Sequence, residues 1–136
     1  MTEQKFKELD YSSFLAAKEV LKKVGNLELT VMGTSMMPFY KSSGQKVTVQ
    51  PLEDISALKR FDLIVFWQHN MLVAHYFWKQ NSYFNEDKND PNLITRPLNP
   101  IKAFDHPIKF DHILGKINDE LSWWLKFKIL LNILFK

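Results

Sequence analysis

The beginning of the chain changes from a helical to an alternating pattern of apolar residues. Residues 10–24 carry apolar side chains three or four positions apart, which predicts an amphipathic helix that Asp10 can cap and Gly25 can end. Residues 27–31 alternate between apolar and polar side chains, which predicts a half-buried strand. A helix with one apolar face usually packs that face on its own domain, so we expect the helix and the strand to share a core. The apolar helix positions are Phe14, Ala17, Val20, Leu21 and Val24.

The middle of the chain predicts a series of antiparallel strands. Residues 46–50 alternate again and stop at Pro51, and residues 51–60 have the polar start of a short helical connection. Residues 63–67 form an unbroken apolar run, which is typical of a strand buried on both faces. A turn at residues 68–70 and the apolar return at 71–78 then predict an antiparallel hairpin.

The next stretch contains shorter elements. Residues 81–92 are polar and rich in turn formers, which predicts a loop, and residues 93–96 predict a short strand. Pro97, Pro100 and Pro107 favour extended, irregular chain between that strand and the last one, which we expect at residues 113–117. Gly115 inside the last strand indicates a bulge or a close approach of another chain segment.

The final residues, 119–136, predict a basic helix. Asp119 and Glu120 suit its start, and apolar residues follow at helical spacing. The run from 121 to 135 would be about 22 Å long, which is short of a hydrocarbon layer of about 30 Å. The stripe consists of Trp123, Phe127, Leu130, Leu131 and Leu134, while Lys126, Lys128, Asn132 and Lys136 point in other directions.

This helix has two open interpretations. A basic helix with Trp, Phe and Leu on a wide face is suited to lie in an anionic membrane surface. A chain cut after Asn118 would then leave the membrane and stay folded. Alternatively the helix packs on the domain or on a second copy, and the same truncation would unfold or aggregate the remainder.

Composition limits the class of protein. A chain of 136 residues with 46% hydrophobic and 24% charged residues is long and apolar enough for one globular domain. It has no cysteine, which excludes disulfides, thiol catalysis and cysteine metal sites and fits a reducing compartment. A net charge of +3 is too small for a nucleic-acid binder. The first ten residues carry charges of both signs and no apolar core, so they predict no secretory signal.

The stretch that most plausibly carries chemistry is Gly-Thr-Ser-Met-Met-Pro at residues 33–38. Ser35 follows a predicted strand in a short turn, where a stiff backbone can aim its hydroxyl at a target. Gly33 permits a tight approach, and Pro38 fixes the backbone and removes a donor. Such clusters are also ordinary turn residues, so the composition alone does not establish catalysis.

This stretch resembles the nucleophile box of signal-peptidase and LexA-type serine peptidases. The following runs match that superfamily's order of elements, namely KVTVQ at 46–50, FDLIVFW at 61–67, LVAHYFW at 72–78 and ILGKI at 113–117. The likeness covers roughly residues 27–117. It implies a mainly β fold, a partly open antiparallel sheet with helices at both ends. We accordingly expect an N-terminal helix at 1–26, a peptidase-like β domain at 27–118 and a C-terminal helix at 119–136, within one globular domain.

The resemblance also implies catalytic roles. Ser35 would be the nucleophile, and His75 the base, as in the histidine-bearing branch that includes archaeal and endoplasmic-reticulum signal peptidases. Free histidine titrates near pH 6.5, whereas a lysine base such as Lys79 would start near 10.4 and need strong desolvation. Asp105, ahead of the last Gly-containing strand, would orient the histidine, with Asp111 as the alternative.

Further roles follow from the same resemblance. The backbone N–H groups of Ser35 and Gly33 would stabilise the oxyanion, and Met36 and Pro38 would contact substrate. An extended peptide would pair with a strand edge beside Ser35. The expected activity is cleavage of a leader or signal-like peptide without a cofactor, in the cytoplasm or peripherally at the inner face of the membrane.

Three departures from the superfamily pattern leave a second interpretation open. Its usual Gly-Asp turns are replaced here by Gly44-Gln45, Phe61-Asp62 and Pro97-Leu98. Because those turns look structural, we expect a divergent but active branch; the alternative is a non-catalytic peptide- or membrane-binding module. A zinc site built from the four histidines with Asp105 or Asp111 is disfavoured, because no pair has a ligand spacing such as His-x-x-x-His. The histidines are His69, His75, His106 and His112.

Overall fold

The computed structural model describes residues 8–80 and 92–134. These residues form one seven-stranded antiparallel sheet with a helix before it and a helix after it, which confirms the predicted mainly β class. The strand order across the sheet is β1-β2-β7-β3-β4-β5-β6. The helices are α1 (Tyr11–Val24) and α2 (Trp123–Leu134), and the strands are β1 (Leu27–Val31), β2 (Gln45–Gln50), β3 (Leu63–Gln68), β4 (Met71–Gln80), β5 (Asn92–Arg96), β6 (Ile108–Lys109) and β7 (Ile113–Ile117).

Three sequence predictions fall partly outside the described residues. Residues 1–7 of the expected N-terminal helix at 1–26 lie outside them, as does the polar loop expected at 81–92 except for Asn92, which begins β5. Residues 135 and 136 of the expected C-terminal helix also lie outside them, and this helix begins at Trp123, four residues after the predicted start at Asp119. The short helical connection expected at 51–60 is confirmed as a 3-10 turn at Ile55–Ala57.

Helix α1 begins and ends as its sequence predicts. The Asp10 side chain accepts the backbone N–H of Ser13 at 2.8 Å, and Gly25 ends the helix with a left-handed φ of 87°. The predicted apolar face is wider than the buried one: Phe14 and Leu21 are buried, whereas Val20 and Val24 are exposed. The helix therefore enters the core mainly through two side chains.

The unbroken apolar run of β3 is buried on both faces of the sheet, as predicted. Leu63 and Val65 face the helices and join the larger core cluster, which also contains Phe14, Leu21 and Ile129 of the two helices. Ile64 and Phe66 face the opposite side and join a smaller cluster with Phe77, Leu93 and Ile113. Successive strand residues point to opposite faces, so a central strand covered on both sides needs apolar residues throughout.

The second altered turn, Phe61-Asp62, holds a non-glycine residue in a left-handed conformation. Phe61 has a φ of 76°, a left-handed conformation that costs a non-glycine residue roughly 1–2 kcal/mol. Its N–H donates to the Phe77 carbonyl at 2.8 Å, and its ring packs against Tyr76 and Trp78. Asp62 accepts the Lys59 N–H at 2.7 Å through its carboxylate. These contacts support the interpretation that the turn is structural.

Gly115 lies where the sheet is most crowded. A Cβ built there would stand 2.3 Å from the backbone oxygen of Gln50 and 2.7 Å from Cγ1 of Val49. Opposite it, the register between β3 and β7 shifts between Val65 and Phe66. Both expectations for this glycine, a close approach and a strand irregularity, are confirmed.

We expect Gly115→Ala to destabilise the protein by at least about 2 kcal/mol, because the backbone oxygen of Gln50 cannot move aside without separating two strands. The matched control is Gly25→Ala, where φ is 87°. A Cβ built there would have no other described residue within 4 Å, apart from its chain neighbours and its own helix backbone. That change should cost only about 1 kcal/mol, from backbone strain. Urea unfolding followed by circular dichroism measures both, and equal losses would contradict the crowding argument.

Candidate active site

His75 and Asp105 form a close pair at the centre of the candidate site. His75 lies on β4 opposite Ile64 of β3, so its ring faces the smaller core cluster and meets Phe66 edge-on, with centroids 5.9 Å apart. Its Nδ1 is 2.6 Å from Oδ2 of Asp105. His75 is only 8% exposed, so little water competes for this contact. The predicted orienting aspartate is therefore in contact with the predicted base.

One residue of β5 holds Asp105 in place. The backbone N–H of Asp105 donates to the Thr95 carbonyl at 2.9 Å, and the Thr95 hydroxyl donates to Asp105 Oδ2 at 2.6 Å. Thr95 pairs with Phe77 of β4, two residues beyond His75, so His75 and Thr95 share one face of the sheet. Backbone and side-chain contacts thus aim the carboxylate at the ring.

The pairing determines which nitrogen of the ring can act as a base. An ionised carboxylate only accepts hydrogen bonds, so Nδ1 of His75 must carry the proton that Asp105 receives. The neutral ring then has its lone pair on Nε2, where a hydroxyl proton could be taken. The sequence suggested the two residues, and their distance defines the tautomer.

Ser35 lies in a turn that is bonded to the segment leading to Asp105. The backbone N–H of Asn99 donates to the Ser35 carbonyl at 2.9 Å, and the Asn99 side chain donates to the Thr34 carbonyl at 3.4 Å. Asn99 belongs to residues 97–105, which we call the connecting segment and which ends at Asp105. The serine turn and the His75–Asp105 pair are therefore attached to one short stretch of chain.

The last contact of a complete triad is absent. Among residues 8–80 and 92–134, the hydroxyl of half-buried Ser35 makes no hydrogen bond, and Nε2 of His75 makes none either. Hydrogen bonds of catalytic groups are often long or unformed without substrate and tighten in the complex. The structure thus brings together two of the three predicted residues and joins the third through the backbone.

Two of the predicted supporting roles need correction. The Gly33 N–H already donates to the Ser42 carbonyl at 3.1 Å, so it does not serve as an oxyanion donor. Met36 is 1% exposed and packs in the larger core cluster, so it anchors the turn instead of contacting substrate. Within the described chain, the N–H groups of Ser35 and Met36 donate to no acceptor. Exposed Pro38 remains available to a substrate.

A side-chain contact also links the serine turn to the start of α2. The hydroxyl of Tyr40 donates to Oδ2 of Asp119 at 2.9 Å. Burial raises the pKa of Tyr40 well above its usual range, and the neighbouring Asp119 raises it further. Tyr40 therefore stays a neutral donor at physiological pH, and the serine turn is fixed to the residue four positions before the helix.

The alternative residues named from the sequence lie elsewhere. Asp111 sits in a 3-10 turn and its carbonyl accepts from Lys18, so it does not meet His75. Lys79 is exposed near the end of β4. His69 occupies the hairpin turn with a φ of 52°. In the described parts of the chain, no three His, Asp or Glu side chains are grouped closely enough to hold a metal ion.

Two polar residues near this site were missed by sequence reasoning. Tyr76 and Arg96 pair across β4 and β5 on the face opposite His75, and both are buried. The Tyr76 hydroxyl and Nε of Arg96 have no hydrogen-bond partner in the described residues, and burial raises the pKa of Tyr76 to about 12. The available signal was an arginine at the end of a predicted strand, between Thr95 and Pro97.

Comparisons with protein-family models, with curated proteins and with solved structures gave no match. The geometry of this site is therefore the basis for assigning a function. Among the described residues, no helix has the length and apolar content needed to cross a membrane.

We expect Asp105→Ala to move the proton of neutral His75 from Nδ1 to Nε2. A hydrogen bond to a charged group contributes about 1.5 kcal/mol or more, which corresponds to at least about a tenfold preference for the Nδ1–H form in the parent protein. Two-dimensional ¹H–¹⁵N NMR of the imidazole nitrogens above pH 8 measures the tautomer. Asp111→Ala is the control and should leave it unchanged; a parent ring protonated on Nε2 would contradict the assignment.

Proposed function

We propose that this protein is a serine peptidase of the signal-peptidase/LexA type, with Ser35 as nucleophile, His75 as base and Asp105 as the residue that orients it. The observation that carries the proposal is the 2.6 Å contact between His75 Nδ1 and Asp105 Oδ2, held by the connecting segment that also bonds the backbone of Ser35. A buried His–Asp pair can supply the general base that a serine nucleophile needs.

The proposed reaction has two steps. The Ser35 hydroxyl attacks the scissile carbonyl carbon while Nε2 of His75 takes its proton, and Asp105 stabilises the imidazolium that forms. His75 then gives the proton to the departing amine, and water hydrolyses the acyl-enzyme by the same route. The unpaired N–H groups of Ser35 and Met36 are the candidate donors to the oxyanion.

The position of β1 supports an extended peptide substrate. Strand β1 lies at the edge of the sheet and pairs with β2 on one side, and no other described strand pairs with its outer backbone groups. A peptide that adds to this edge would run toward Ser35, four residues beyond Val31. Met37 and Pro38, which follow Ser35 closely in the chain, are exposed. The resemblance to signal peptidases implies a leader or signal-like peptide with small side chains near the cleaved bond.

The missing hydrogen bond between Ser35 and His75 is also compatible with a second candidate function, a non-catalytic peptide-binding module. Ser35 and His75 share no hydrogen bond in the part of the chain that the structure describes, so a peptide-binding module with an inert serine has the same static geometry. The two functions differ in whether Ser35 can be acylated, and the following experiment measures that directly.

We expect a fluorophosphonate or a β-lactam to modify the protein once, at Ser35, as read by intact mass and peptide mapping. Ser35→Ala should abolish labelling, and His75→Gln should slow it by about 10²-fold or more, because general-base help is lost. Exposed Ser43→Ala is the matched control and should label at the parent rate. Absence of labelling by both reagents, or labelling that survives Ser35→Ala, would reject the catalytic assignment in favour of a binding module.

We also propose that the outer face of α2 associates with an anionic membrane surface. The helix turns Ile129 into the larger core cluster and leaves six large apolar side chains exposed. At about 100° per residue these six cover an arc of about 120°, and Lys126 and Lys128 flank it on either side. Trp and Phe bordered by lysines suit a lipid headgroup region. The six are Trp123, Trp124, Phe127, Leu130, Leu131 and Leu134.

Charge favours lipid over a second copy as the occupant of this face. The helix contains two lysines and no acidic residue, so a symmetric contact between two copies would bring like charges together around the apolar patch. An anionic surface attracts the same lysines, each by about 1 kcal/mol. The truncation after Asn118 no longer separates the interpretations, because it would also remove buried Leu121 and Ile129 from the core.

We expect the full chain to sediment with vesicles of phosphatidylcholine and phosphatidylglycerol, and the double variant Trp123→Gln, Phe127→Gln to lose at least tenfold in affinity. Both side chains are exposed, so the free energy of unfolding should change by no more than about 0.5 kcal/mol. Val20→Gln with Val24→Gln, on the exposed side of α1, is the matched control. A parent chain that ignores the vesicles and instead dimerises in analytical ultracentrifugation would overturn the membrane proposal.

A further inference from the structure

A pocket opens next to the connecting segment, on the face of the sheet opposite His75. It has a volume of about 250 Å³. Among the described residues, two aromatic rings and one aliphatic side chain form its apolar walls, and two cationic side chains complete the lining. None of these described lining residues is acidic, and two are cationic. The lining residues are Trp78, Lys79, Ile94, Arg96 and Phe104.

Arg96 is the unusual member of this lining. It is 7% exposed, its Nη2 donates to the Ile101 carbonyl at 3.1 Å, and its guanidinium lies 5.2 Å from the centre of the Trp78 ring. Its Nε has no hydrogen-bond partner, and no carboxylate pairs with the guanidinium among the described residues. Burying an arginine without an anionic partner is costly, so such a residue is well placed to receive one from outside the chain.

Two further cations strengthen the positive field around Trp78. Lys79 is exposed and stands at the pocket wall, where its flexible stem can reach a ligand. Arg60 stacks over the Trp78 ring at 4.1 Å and donates through Nε to the Trp78 carbonyl at 2.9 Å. Both guanidinium groups therefore lie close to the indole ring of Trp78, which forms an aromatic wall of the pocket beside them.

Residues of the connecting segment contact both this pocket and the candidate active site. Asn99 bonds the serine turn, Ile101 accepts from Arg96, Phe104 forms a pocket wall and Asp105 bonds His75. Arg96 also follows Thr95 directly on β5, with its side chain on the opposite face. A peptide held in the pocket therefore contacts the same short stretch that positions the catalytic groups.

We propose that this pocket binds a carboxylate of the peptide substrate and thereby selects peptides that present a carboxylate at this position. The assignment rests on the proposed peptidase function. Arg96 pairs with the carboxylate, Lys79 adds a second cation, and Trp78 and Phe104 pack against the apolar part of the bound residue. The carboxylate can come from an acidic side chain or from a peptide C-terminus, and both offer the same two oxygens to a guanidinium.

The experiment measures binding without turnover. The Ser35→Ala chain, uniformly ¹⁵N-labelled, is titrated with acetyl-Leu-Glu-Ala-amide, with its glutamine analogue, and with acetyl-Leu-Gln-Ala bearing a free C-terminus. We expect the glutamate peptide or the free acid to bind at least fivefold more tightly than the neutral amide and to shift the indole signal of Trp78. The acid that binds more tightly identifies the source of the carboxylate.

Variants of the pocket test the assignment of residues. Arg96→Gln should remove the preference for the acidic peptide, and Arg96→Lys should restore part of it. Lys79→Gln and Phe104→Ala change exposed side chains and should each weaken binding severalfold even if Arg96→Gln fails to fold. Lys23→Gln, an exposed lysine on α1, is the matched control and should have no effect. Equal binding of acidic and neutral peptides, or a preference that survives both Arg96→Gln and Lys79→Gln, would overturn the proposal.

Failure of this proposal is distinguishable from failure of the proposed function. Selective binding of an acidic peptide by a protein whose Ser35 resists acylation would leave the pocket assigned and remove the peptidase. Acylation of Ser35 without any preference for a carboxylate would leave the peptidase and remove the pocket.

Discussion

The arrangement of the candidate site depends on the hydrogen bonds that the Asp105 carboxylate accepts. One of its oxygens receives both the hydroxyl of Thr95 on β5 and Nδ1 of His75 on β4, so a single charge ties two strands and a loop together. Hydrogen bonds to an ionised acceptor are stronger than neutral ones and are little weakened where water is scarce. The same contact determines the tautomer of His75 and ends the connecting segment at a defined point. Asn99 of that segment bonds the Ser35 carbonyl, so Asp105 and the serine turn are attached to the same stretch of chain.

The pocket and the His75–Asp105 pair lie on opposite faces of strand β5. Thr95 and Arg96 are neighbours on β5, and alternation sends one toward the histidine and the other toward the opposite face. One face thus holds a partnered anion, and the other a cation without an anionic partner among the described residues. Since both residues are rigidly held by the ladder between β4 and β5, recognition and chemistry would share one scaffold without a moving part.

The strand pattern could be predicted because each strand has a distinct burial requirement. Strand β3 is buried on both faces and carries a continuous apolar run, whereas β1 and β2 are more buried on one face and alternate between apolar and polar residues. The sequence pattern alone therefore indicates how many faces each strand buries. The outcome for α2 could not be predicted, because that helix is apolar around most of its circumference and periodicity does not choose between two apolar faces. Strand β6 and the following 3-10 turn lie beyond three prolines, where no period is visible.

The sequence indicated which residues belong to the candidate site, but it did not indicate which contacts they make. The histidine and the aspartate were recognisable from the order of elements, whereas the use of the Gly33 N–H by Ser42 depends on the path of a loop. The burial of Met36 depends on which side of the turn meets the core. The isolation of Arg96 is a property of its neighbours in space, so no local pattern around residue 96 could reveal it.

The bond between Tyr40 and Asp119 has a consequence for how a substrate would be presented. It joins the serine turn to Asp119, four residues before α2, while Leu121 and Ile129 pack in the core. The serine turn and the helix are therefore linked, and a surface that binds the outer face of α2 would also hold Ser35 at a restricted distance from that surface. Cleavage would then be limited by where along an emerging chain a bond reaches that height, so distance from the surface would act as a ruler alongside side-chain recognition.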